Sequence, residues 1–334
     1  MENIISKIPL WVNVKDAPFN AKGDGITDDT PAIQAAINSG SNVYIPDGVY
    51  KISINTGGED TNYGILISAE FNNKTLYLSF HASLVWNYEE SETLADYSII
   101  YILGADSISV IGGALIGDRY ENTFDIKNGV PQANGAGIYV SRSNNINIMS
   151  VAVKSCHGDG FYIGQTNGTS ICKNINLINC TAENNRRNGC SLMHLDGGII
   201  HGCTFNNTNG SPDMRGIDIE PELGDLVSNI LINNCKINDN GGTGINLSCG
   251  GGNISDITIK GNSIYNNGSL DGVSGLAGIY ITQDGPEKIV PPYHYSIKNI
   301  FITQNHLWNN KFKDIECNIP PSRPTIVLTD NIIK

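Results

Sequence analysis

The sequence predicts an all-β solenoid, because one short pattern recurs along most of its length. A glycine is followed by an apolar-x-apolar-x tetrapeptide, and from Gly137 onward the spacings are 23, 29, 27, 28 and 34 residues. Similar units at a period of 20 to 50 residues are typical of stacked repeat architectures. In the unit at 216–220, GIDIE, alternation with period 2 sends Ile217 and Ile219 to one side and Asp218 and Glu220 to the other. The pattern begins at Gly64, Gly137, Gly160, Gly189, Gly216, Gly244 and Gly278.

Composition is consistent with one repeat domain over residues 1–334, with residues 1–53 as N-terminal cap and first strands and 54–334 as the coils. The chain is 40% hydrophobic and contains 37 glycines, which suits a core with many turns. Its net charge of -12 disfavours nucleic acid and anionic membrane surfaces as partners. No apolar run reaches the roughly 18 residues of a membrane span, and residues 1–10 are too short and polar for a signal peptide. A soluble protein is therefore expected.

A short helix is expected before the coils. Thr30 is predicted to be its N-cap with Pro31 at the first helical position, and an apolar stripe of Ile33, Ala36 and Ile37 faces the core. Such a helix covers the open end of a solenoid. Residues 42–53 then predict two strands around a Pro-Asp-Gly turn. The acidic residues ahead of the helix are interpreted as turn and cap residues rather than a cation loop: Asp24, Asp28 and Asp29.

The eight cysteines show no CxxC or Cys/His ligand spacing, so the sequence predicts reduced, structural thiols. Four are predicted to stack at one position of a second repeating strand, where asparagine follows in later repeats. This ladder comprises Cys156, Cys180, Cys203, Cys235, Asn262 and Asn305. Asparagine pairs after that strand, such as Asn266 and Asn267, are expected to hydrogen-bond from coil to coil at a bend.

The N-terminal region carries a more specific signature. The segments VNV (12–14), GDGITDDT (23–30), AIQAAI (32–37) and VYIPDGVY (43–50) resemble the opening of the pectate-lyase superfamily. That resemblance implies a right-handed parallel β-helix and an activity on polysaccharides, as in polygalacturonase-like hydrolases, polysaccharide lyases and bacteriophage tailspike depolymerases. It also implies a homotrimer as one candidate assembly, and extracellular or virion-associated action.

Stacking the coils about 4.8 Å apart turns each repeat position into a column. The first outward column is predicted to contain Tyr139, Tyr162, Ser191, Asp218, Asn246 and Tyr280. The second is predicted to contain Ser141, Gly164, Met193, Glu220, Ser248 and Thr282. Three variable segments are expected to wall a groove on this face: 117–135, 196–215 and 270–278.

Paired carboxylates on this face predict acid and base catalysis. Asp218 and Glu220 have side-chain roots about 6.5 to 7 Å apart, a spacing that suits an inverting glycosidase. Asp159, two coils away, is the alternative base. Residues expected to bind substrate are Tyr139, Tyr162, His157, Arg187, His194, Asp196, Arg215, Asn246 and Tyr280. The predicted partner is a polysaccharide or oligosaccharide, and hydrolysis needs no metal or other cofactor.

Two other functions stay open, beside the plainer interpretation that these charges are solvated surface groups. A lyase or epimerase would abstract the proton next to a uronic-acid carboxylate, with Arg or Ca²⁺ neutralising charge. The Ca²⁺ would then lie among Asp159, Asp196, Asp213 and Asp218. A tailspike-like adhesin would bind glycan in the same groove without cleaving it.

Overall fold

A computed structural model describes most of the chain. The described residues are 10–55, 62–87, 97–122, 126–127, 130–131, 135–165, 170–249, 251–270, 276–283, 296–319 and 325–334. Within them, three parallel sheets run side by side along the molecule, with 11, 11 and 9 strands. The neighbours of each strand within a sheet are strands of the preceding and following coils. The chain is therefore a parallel β-helix, as the repeat predicts.

Sheet A contains β1 (Trp11–Asn13), β3 (Asn42–Ile45), β6 (Thr75–Leu78), β9 (Ser109–Ile111), β14 (Asn144–Met149), β17 (Cys172–Ile178), β20 (Leu195–His201), β23 (Leu226–Asn233), β26 (Asn253–Lys260), β29 (Ile297–Thr303) and β32 (Ile326–Thr329). Sheet B contains β2 (Asp24–Asp28), β4 (Gly48–Ile52), β7 (Ala82–Trp86), β10 (Ala114–Ile116), β15 (Ala152–Lys154), β18 (Thr181–Glu183), β21 (Thr204–Asn206), β24 (Lys236–Asn238), β27 (Ser263–Tyr265), β30 (His306–Trp308) and β33 (Ile332–Ile333). Sheet C contains β5 (Asn62–Ile67), β8 (Tyr97–Leu103), β13 (Ala136–Ser141), β16 (Asp159–Ile163), β19 (Cys190–Leu192), β22 (Ile217–Ile219), β25 (Ile245–Ser248), β28 (Ala277–Thr282) and β31 (Lys313–Asn318). A hairpin of β11 (Ile126–Lys127) and β12 (Val130–Pro131) lies outside these sheets.

The recurring Gly pattern opens or immediately precedes strands of sheet C. Ile217 and Ile219 are fully buried in the core, as the alternation predicts. A Cβ on Gly216 would lie 2.6 Å from the carbonyl oxygen of Gly244 in the next coil and 2.5 Å from Cγ2 of Ile237. Glycine is therefore required here by close packing of successive coils, rather than by an unusual backbone angle.

The predicted second strand is in fact two strands joined by a corner. Residues 175–178 end β17 in sheet A, and Thr181 begins β18 in sheet B. Asn179, at φ 53°, turns the chain between them. Left-handed backbone at a short polar residue bends the chain within two residues, which the periodicity alone does not show.

The corner positions the thiol ladder, with one correction. Cys180, Cys203 and Cys235 stack, and the ladder continues through asparagines, with the amide N–H of Cys235 donating to Oδ1 of Asn262 at 2.8 Å. Cys156 was predicted to belong to it but does not, because Ala152 pairs with Thr181 and leaves Cys156 opposite Asn185. All eight cysteines are free thiols, as predicted.

Asparagine ladders continue coil to coil at two corners. Asn262 donates from Nδ2 to Oδ1 of Asn305, and Asn305 to Asn331, at 2.9 and 3.0 Å. A second ladder joins Asn240, Asn267 and Asn310 at 2.9 to 3.0 Å. The predicted structural role of these residues is confirmed.

The N-terminal end is capped by helix α1 (Thr30–Asn38), whose Ile33, Ala36 and Ile37 are buried. The N-cap is Asp29 and not Thr30, because the helix begins at Thr30. The carboxylate of Asp29 makes no capping hydrogen bond and instead accepts the backbone N–H groups of Lys22 and Gly23, which closes the preceding loop. Asp24 and Asp28 likewise accept backbone N–H groups near the turn. These three aspartates are turn and cap residues, as interpreted.

The predicted loop 196–215 is wrong in its first half, since residues 195–201 and 204–206 are strands. Two glycines and an apolar pair at 197–200 do not show the alternation of a strand, although they belong to a regular strand of sheet A. The extra residues occupy 207–216 instead. The segments 117–135 and 270–278 lie partly outside the described residues.

Candidate active site

Strand register places the predicted first outward column in line. Consecutive pairings across sheet C join Tyr101, Tyr139, Tyr162, Ser191, Asp218, Asn246 and Tyr280. Aromatic residues therefore occupy one end of the column and polar residues its middle, around Asp218.

Asp218 lies in the centre of this arrangement and is only 3% exposed. Its Oδ1 accepts hydrogen bonds from Nη1 of Arg215 at 2.7 Å and Nδ2 of Asn246 at 2.9 Å. Its Oδ2 accepts from Nδ2 of Asn188 at 3.2 Å. Three donors from three coils thus fix the carboxylate, and Oδ2 retains capacity for a further hydrogen bond.

Glu220 extends beside Asp218 and is more exposed, with 36% of its side chain accessible. Nη1 of Arg215 is shared, at 3.1 Å from Oε2 of Glu220. Burial raises the pKa of Glu220 to about 7, and the charge of Asp218 adds to the increase against the lowering effect of Arg215. Glu220 therefore exchanges a proton near neutral pH.

Arg215 holds the carboxylates together. It also pairs with Asp213, with Nη2 3.4 Å from Oδ1. Burial alone would lower the pKa of Arg215, but the surrounding carboxylates raise it above its ordinary value. Burial in turn raises the pKa of Asp213. The guanidinium is the cation of the cluster and stays charged.

One oxygen each from Asp213, Asp218 and Glu220 lies within 4.8 Å of the others, so these three residues are the candidate metal ligands. Arg215 bonds to all three and already supplies positive charge. The predicted Ca²⁺ set of Asp159, Asp196, Asp213 and Asp218 is wrong, because Asp196 lies in sheet A and Asp159 is bound by Arg187.

The nearest carboxylate oxygens of Asp218 and Glu220 lie closer together than the spacing predicted for their side-chain roots. Carboxyl groups of inverting glycosidases are about 6.5 to 9.5 Å apart. Here the nearest oxygens are within 4.8 Å, because both side chains bend toward Arg215. The prediction used only the distance between the side-chain roots and did not include Arg215, which bonds to both carboxylates.

Asp159 is fully buried and its hydrogen-bonding capacity is used. Nε and Nη2 of Arg187 donate to it at 2.8 and 2.7 Å, the N–H of Asn188 at 3.0 Å and Oγ of Ser191 at 2.7 Å. Burial would lower the pKa of Arg187, but the charge of Asp159 raises it above its ordinary value. Asp159 is therefore a positioning residue, and its predicted role as alternative base does not fit.

Asn188 and Ser191 connect the two carboxylates and were not among the predicted site residues. Asn188 contacts Asp159 through its backbone N–H and Asp218 through Nδ2, and Nδ2 also donates to Oγ of Ser191. Its Oδ1 accepts the backbone N–H of Arg215. The sequence signal was present, since Asn188 precedes Gly189 as Asp159 precedes Gly160 and Arg215 precedes Gly216.

Tyrosines line the column on the N-terminal side of Asp218. The rings of Tyr139 and Tyr162 pack edge to face with centroids 4.9 Å apart, and Tyr101 stacks on Tyr139 at 4.9 Å. The guanidinium of Arg187 lies 5.8 Å from the Tyr162 ring centroid. Tyr139 and Tyr162 are half-buried and so present part of their surface, as does Tyr280 on the other side.

Four predicted substrate contacts do not face the groove. His157 and Asn246 are fully buried, and Asn246 instead holds Asp218. Nδ1 of His194 accepts the backbone N–H of Leu226 at 3.1 Å, so it fastens a turn. Asp196 accepts hydrogen bonds from Ser228 and Asn229 on sheet A. Side chains next to a strand can point into the corner between two sheets, and the alternation along the sequence does not predict this direction.

The three parallel sheets and the outward carboxylate cluster define the chain as a parallel β-helix protein with a polar candidate site on one sheet. Residues 112–290 match the family model described as "right handed beta helix region", and residues 11–68 match "Rhamnogalacturonase A/epimerase, pectate lyase-like". The chain belongs to the right-handed β-helix family.

Similar curated proteins include mannuronan C5-epimerase AlgE2 of Azotobacter vinelandii, which is 29% identical in an alignment of 287 residues that covers 78% of this chain and 25% of that protein. The SPbeta prophage-derived uncharacterized protein YorA of Bacillus subtilis is 28% identical in an alignment of 203 residues that covers 52% of this chain and 35% of YorA. The chain thus matches only a quarter to a third of the length of these relatives.

Solved structures share the fold at low identity. The tailspike protein of E. coli bacteriophage HK620, in complex with a pentasaccharide, has a TM-score of 0.71 at 12% identity, covering 96% of this chain and 57% of that one. Endo-xylogalacturonan hydrolase from Aspergillus tubingensis has a TM-score of 0.61 at 15% identity, covering 94% and 91%. None of the helices in the described part of the chain has the length and apolarity of a membrane span.

Proposed function

We propose that the protein hydrolyses glycosidic bonds within a polysaccharide, with Glu220 as the proton donor and Asp218 as the carboxylate that activates water. The carrying observation is the contrast between Asp218 on β22 and Glu220 directly after that strand. Glu220 is partly exposed with a pKa raised to about 7, whereas Asp218 is fixed by three donors. Two carboxyl groups in such different surroundings are the general arrangement for acid and base catalysis.

The chemistry balances within these residues. Glu220 transfers its proton to the glycosidic oxygen as the bond to the anomeric carbon breaks. Water adds to that carbon, and Asp218 takes the proton that the water loses. An inverting path needs a water between the two carboxyl groups. Glu220 must then turn away from Arg215 when substrate binds, which its 36% exposure allows.

A carbohydrate substrate is supported by the face around the carboxylates and by the similar proteins. Tyr139 and Tyr162 present ring surfaces beside polar groups, which suits sugar rings. The named relatives and structures include an epimerase of mannuronan, a hydrolase of xylogalacturonan and a tailspike holding a pentasaccharide.

Reducing-end release from a panel of polysaccharides, with mass analysis of the fragments, tests the proposal. Glu220→Gln should lower the rate by about 100-fold or more, since general acid catalysis contributes about 10² to 10⁴. Glu183→Gln is the matched control, because Glu183 is an exposed carboxylate on sheet B paired with Lys154. Full activity of Glu220→Gln would exclude Glu220 as the proton donor.

Elimination or epimerisation of a uronic-acid polymer is the second candidate, favoured by 29% identity to the epimerase over most of this chain. The site supports it less, since Arg187 and Arg215 are both bound to carboxylates of the protein. Elimination leaves a double bond that absorbs near about 235 nm, which hydrolysis does not produce. An increase in absorbance at that wavelength during fragment release would show that the reaction is elimination and not the proposed hydrolysis.

A further inference from the structure

A second concave surface lies on sheet B, away from the candidate active site. It is a groove of about 430 Å³ along the corner between sheets A and B. Gly202 and Gly261 line it at that corner without side chains, and Thr204 and Ser263 near them are short. Lys236 lies between Thr204 and Ser263 in the same column of sheet B, and Tyr265 and Trp308 lie two residues further along their strands.

Two aromatic rings form one wall of the groove. Tyr265 and Trp308 occupy paired positions on β27 and β30, and their rings stack with centroids 4.2 Å apart and an angle of 11°. Both are half-buried and point outward, since the alternate residues Ile264 and Leu307 fill the core. The pair is therefore not required by the core, and it provides a rigid amphipathic surface.

One positively charged side chain lines the groove, in a protein of net charge -12. It is Lys236, with Nζ 5.6 Å from the Tyr265 ring centroid. A hydrogen bond with Tyr265 raises the pKa of Lys236, and the charge of nearby Asp239 adds to the increase. No Asp or Glu is among the described residues that line the groove itself. A negatively charged ligand is favoured here, although the surface as a whole repels it.

The shape of the groove suits a chain rather than a compact molecule. Its residues come from four successive coils, from Gly202 to Trp308. Coils are about 4.8 Å apart, so the groove follows the axis for about 14 Å. A ligand that repeats along its length can use the same contacts from coil to coil.

We propose that this groove is a second glycan-binding site, separate from the carboxylate cluster, for a saccharide that carries uronic-acid carboxylates. A sugar carboxylate pairs with Lys236, a ring packs against Tyr265 and Trp308, and hydroxyl groups bond to Thr204, Ser263 and exposed backbone. The ligand class rests on the proposed function. The groove would hold a polymer on sheet B while sheet C acts on it.

Affinity electrophoresis tests the site with polygalacturonate and alginate as anionic probes and dextran as the neutral one. The wild-type protein should be retarded by an anionic chain and not by dextran. Trp308→Ala should weaken retention about 5- to 10-fold, the value expected for one lost aromatic contact. Lys236→Gln should weaken it and reduce its dependence on salt. Ser263→Trp fills the groove without removing the aromatic pair and should act in the same direction.

Tyr77→Ala is the matched control, since Tyr77 stacks on Tyr44 at 5.7 Å on the outer face of sheet A and is 40% exposed. It should leave retention unchanged, and all groove variants should keep wild-type turnover of short oligosaccharides. Equal retention of the wild type, Trp308→Ala and Ser263→Trp overturns the proposal, as does a wild type that neither anionic chain retards. An altered elution volume of Trp308→Ala in gel filtration would assign the face to contacts between copies instead. Retention without any hydrolysis would refute the proposed function and leave the groove standing.

Discussion

At the scale of single residues, Glu220 and Asp218 differ in what surrounds them although only Ile219 separates them. Asp218 accepts hydrogen bonds from three coils, while the side chain of Glu220 is bonded to Arg215 alone among the described residues and is partly accessible. A general acid works only while protonated, so kcat/KM, which reports ionisations of the free enzyme, should fall as pH rises through about 7. Rate measurements from about pH 5 to 9, two units on either side of 7, in a buffer of constant ionic strength would show this falling limb of the pH profile.

Asp213 offers a way to test that assignment. Its negative charge raises the pKa of Glu220, so Asp213→Asn should move the falling limb to lower pH. Glu183→Gln, remote on sheet B, should leave the limb in place. A limb that stays fixed in Asp213→Asn would mean that another group gives the pH dependence.

The same pKa shift affects stability. Because folding raises the pKa of Glu220 from 4.5 to about 7, the folded chain binds this proton more tightly than the unfolded chain. Its contribution to stability is therefore full below the unfolded pKa and is lost as pH rises through about 7.

Arg187 and Asp159 form the pair whose loss should be most damaging. Asp159 is fully buried and its charge is balanced by Arg187 at 2.7 Å. Arg187→Met should lower the free energy of unfolding by about 3 kcal/mol, since it leaves a buried charge without its partner. The double variant Asp159→Asn/Arg187→Met should recover part of that loss. Denaturant titration of the single and double variants measures both, and equal stability of Arg187→Met and wild type would contradict the argument.

At the scale of elements, corners hold the coils in register through side-chain ladders. Asn305 donates to the carbonyl of Ile259 and to Oδ1 of Asn331, and it accepts the N–H of Asn262. Asn305→Leu leaves these buried groups unpaired and should cost about 1 to 3 kcal/mol of unfolding free energy. Asn305→Cys should cost less, because the same column carries Cys203 and Cys235 in earlier coils. Thermal and denaturant unfolding would show the order, and a reversed order would show that side-chain volume, not bonding, decides.

At the scale of the whole molecule, the period in the sequence was enough to predict the fold and the outward column through Asp218. The same apolar alternation recurs in several units, so the inward direction of Ile217 and Ile219 could be predicted from the pattern in the other coils. What failed had no periodic signal. The division of the second motif into two strands depends on one left-handed residue, Asn179. Cys156 lies at the corner after β15, opposite Asn185, and not at the corner before β18 where Cys180 lies.

The candidate site was predictable in position but not in connectivity. The sequence placed Arg215 and Asp218 on one coil and Asp159 two coils away on the same face. It did not show that Arg215 would bond to both Glu220 and Asp218 and bring them together. It also did not show that Arg187 would donate hydrogen bonds to both oxygens of Asp159. Those outcomes depend on side-chain rotation and burial, which spacing along the chain does not encode.

The packing of the whole solenoid makes a final prediction about its thiols. Seven of the eight cysteines are buried and free, and Cys317 is exposed. Burial raises the pKa of Cys156 and of Cys190, which suppresses the reactive thiolate. Burial also raises the pKa of Cys317, but this residue is exposed, so a thiol reagent such as Ellman's should label it in a first, more rapid phase in the folded protein and all eight cysteines after denaturation. Cys317→Ser should abolish the rapid phase without changing the melting temperature. Fewer than eight reactive thiols in denaturant without reductant would show that bridges form and that the stacked cysteines are not simply small apolar residues.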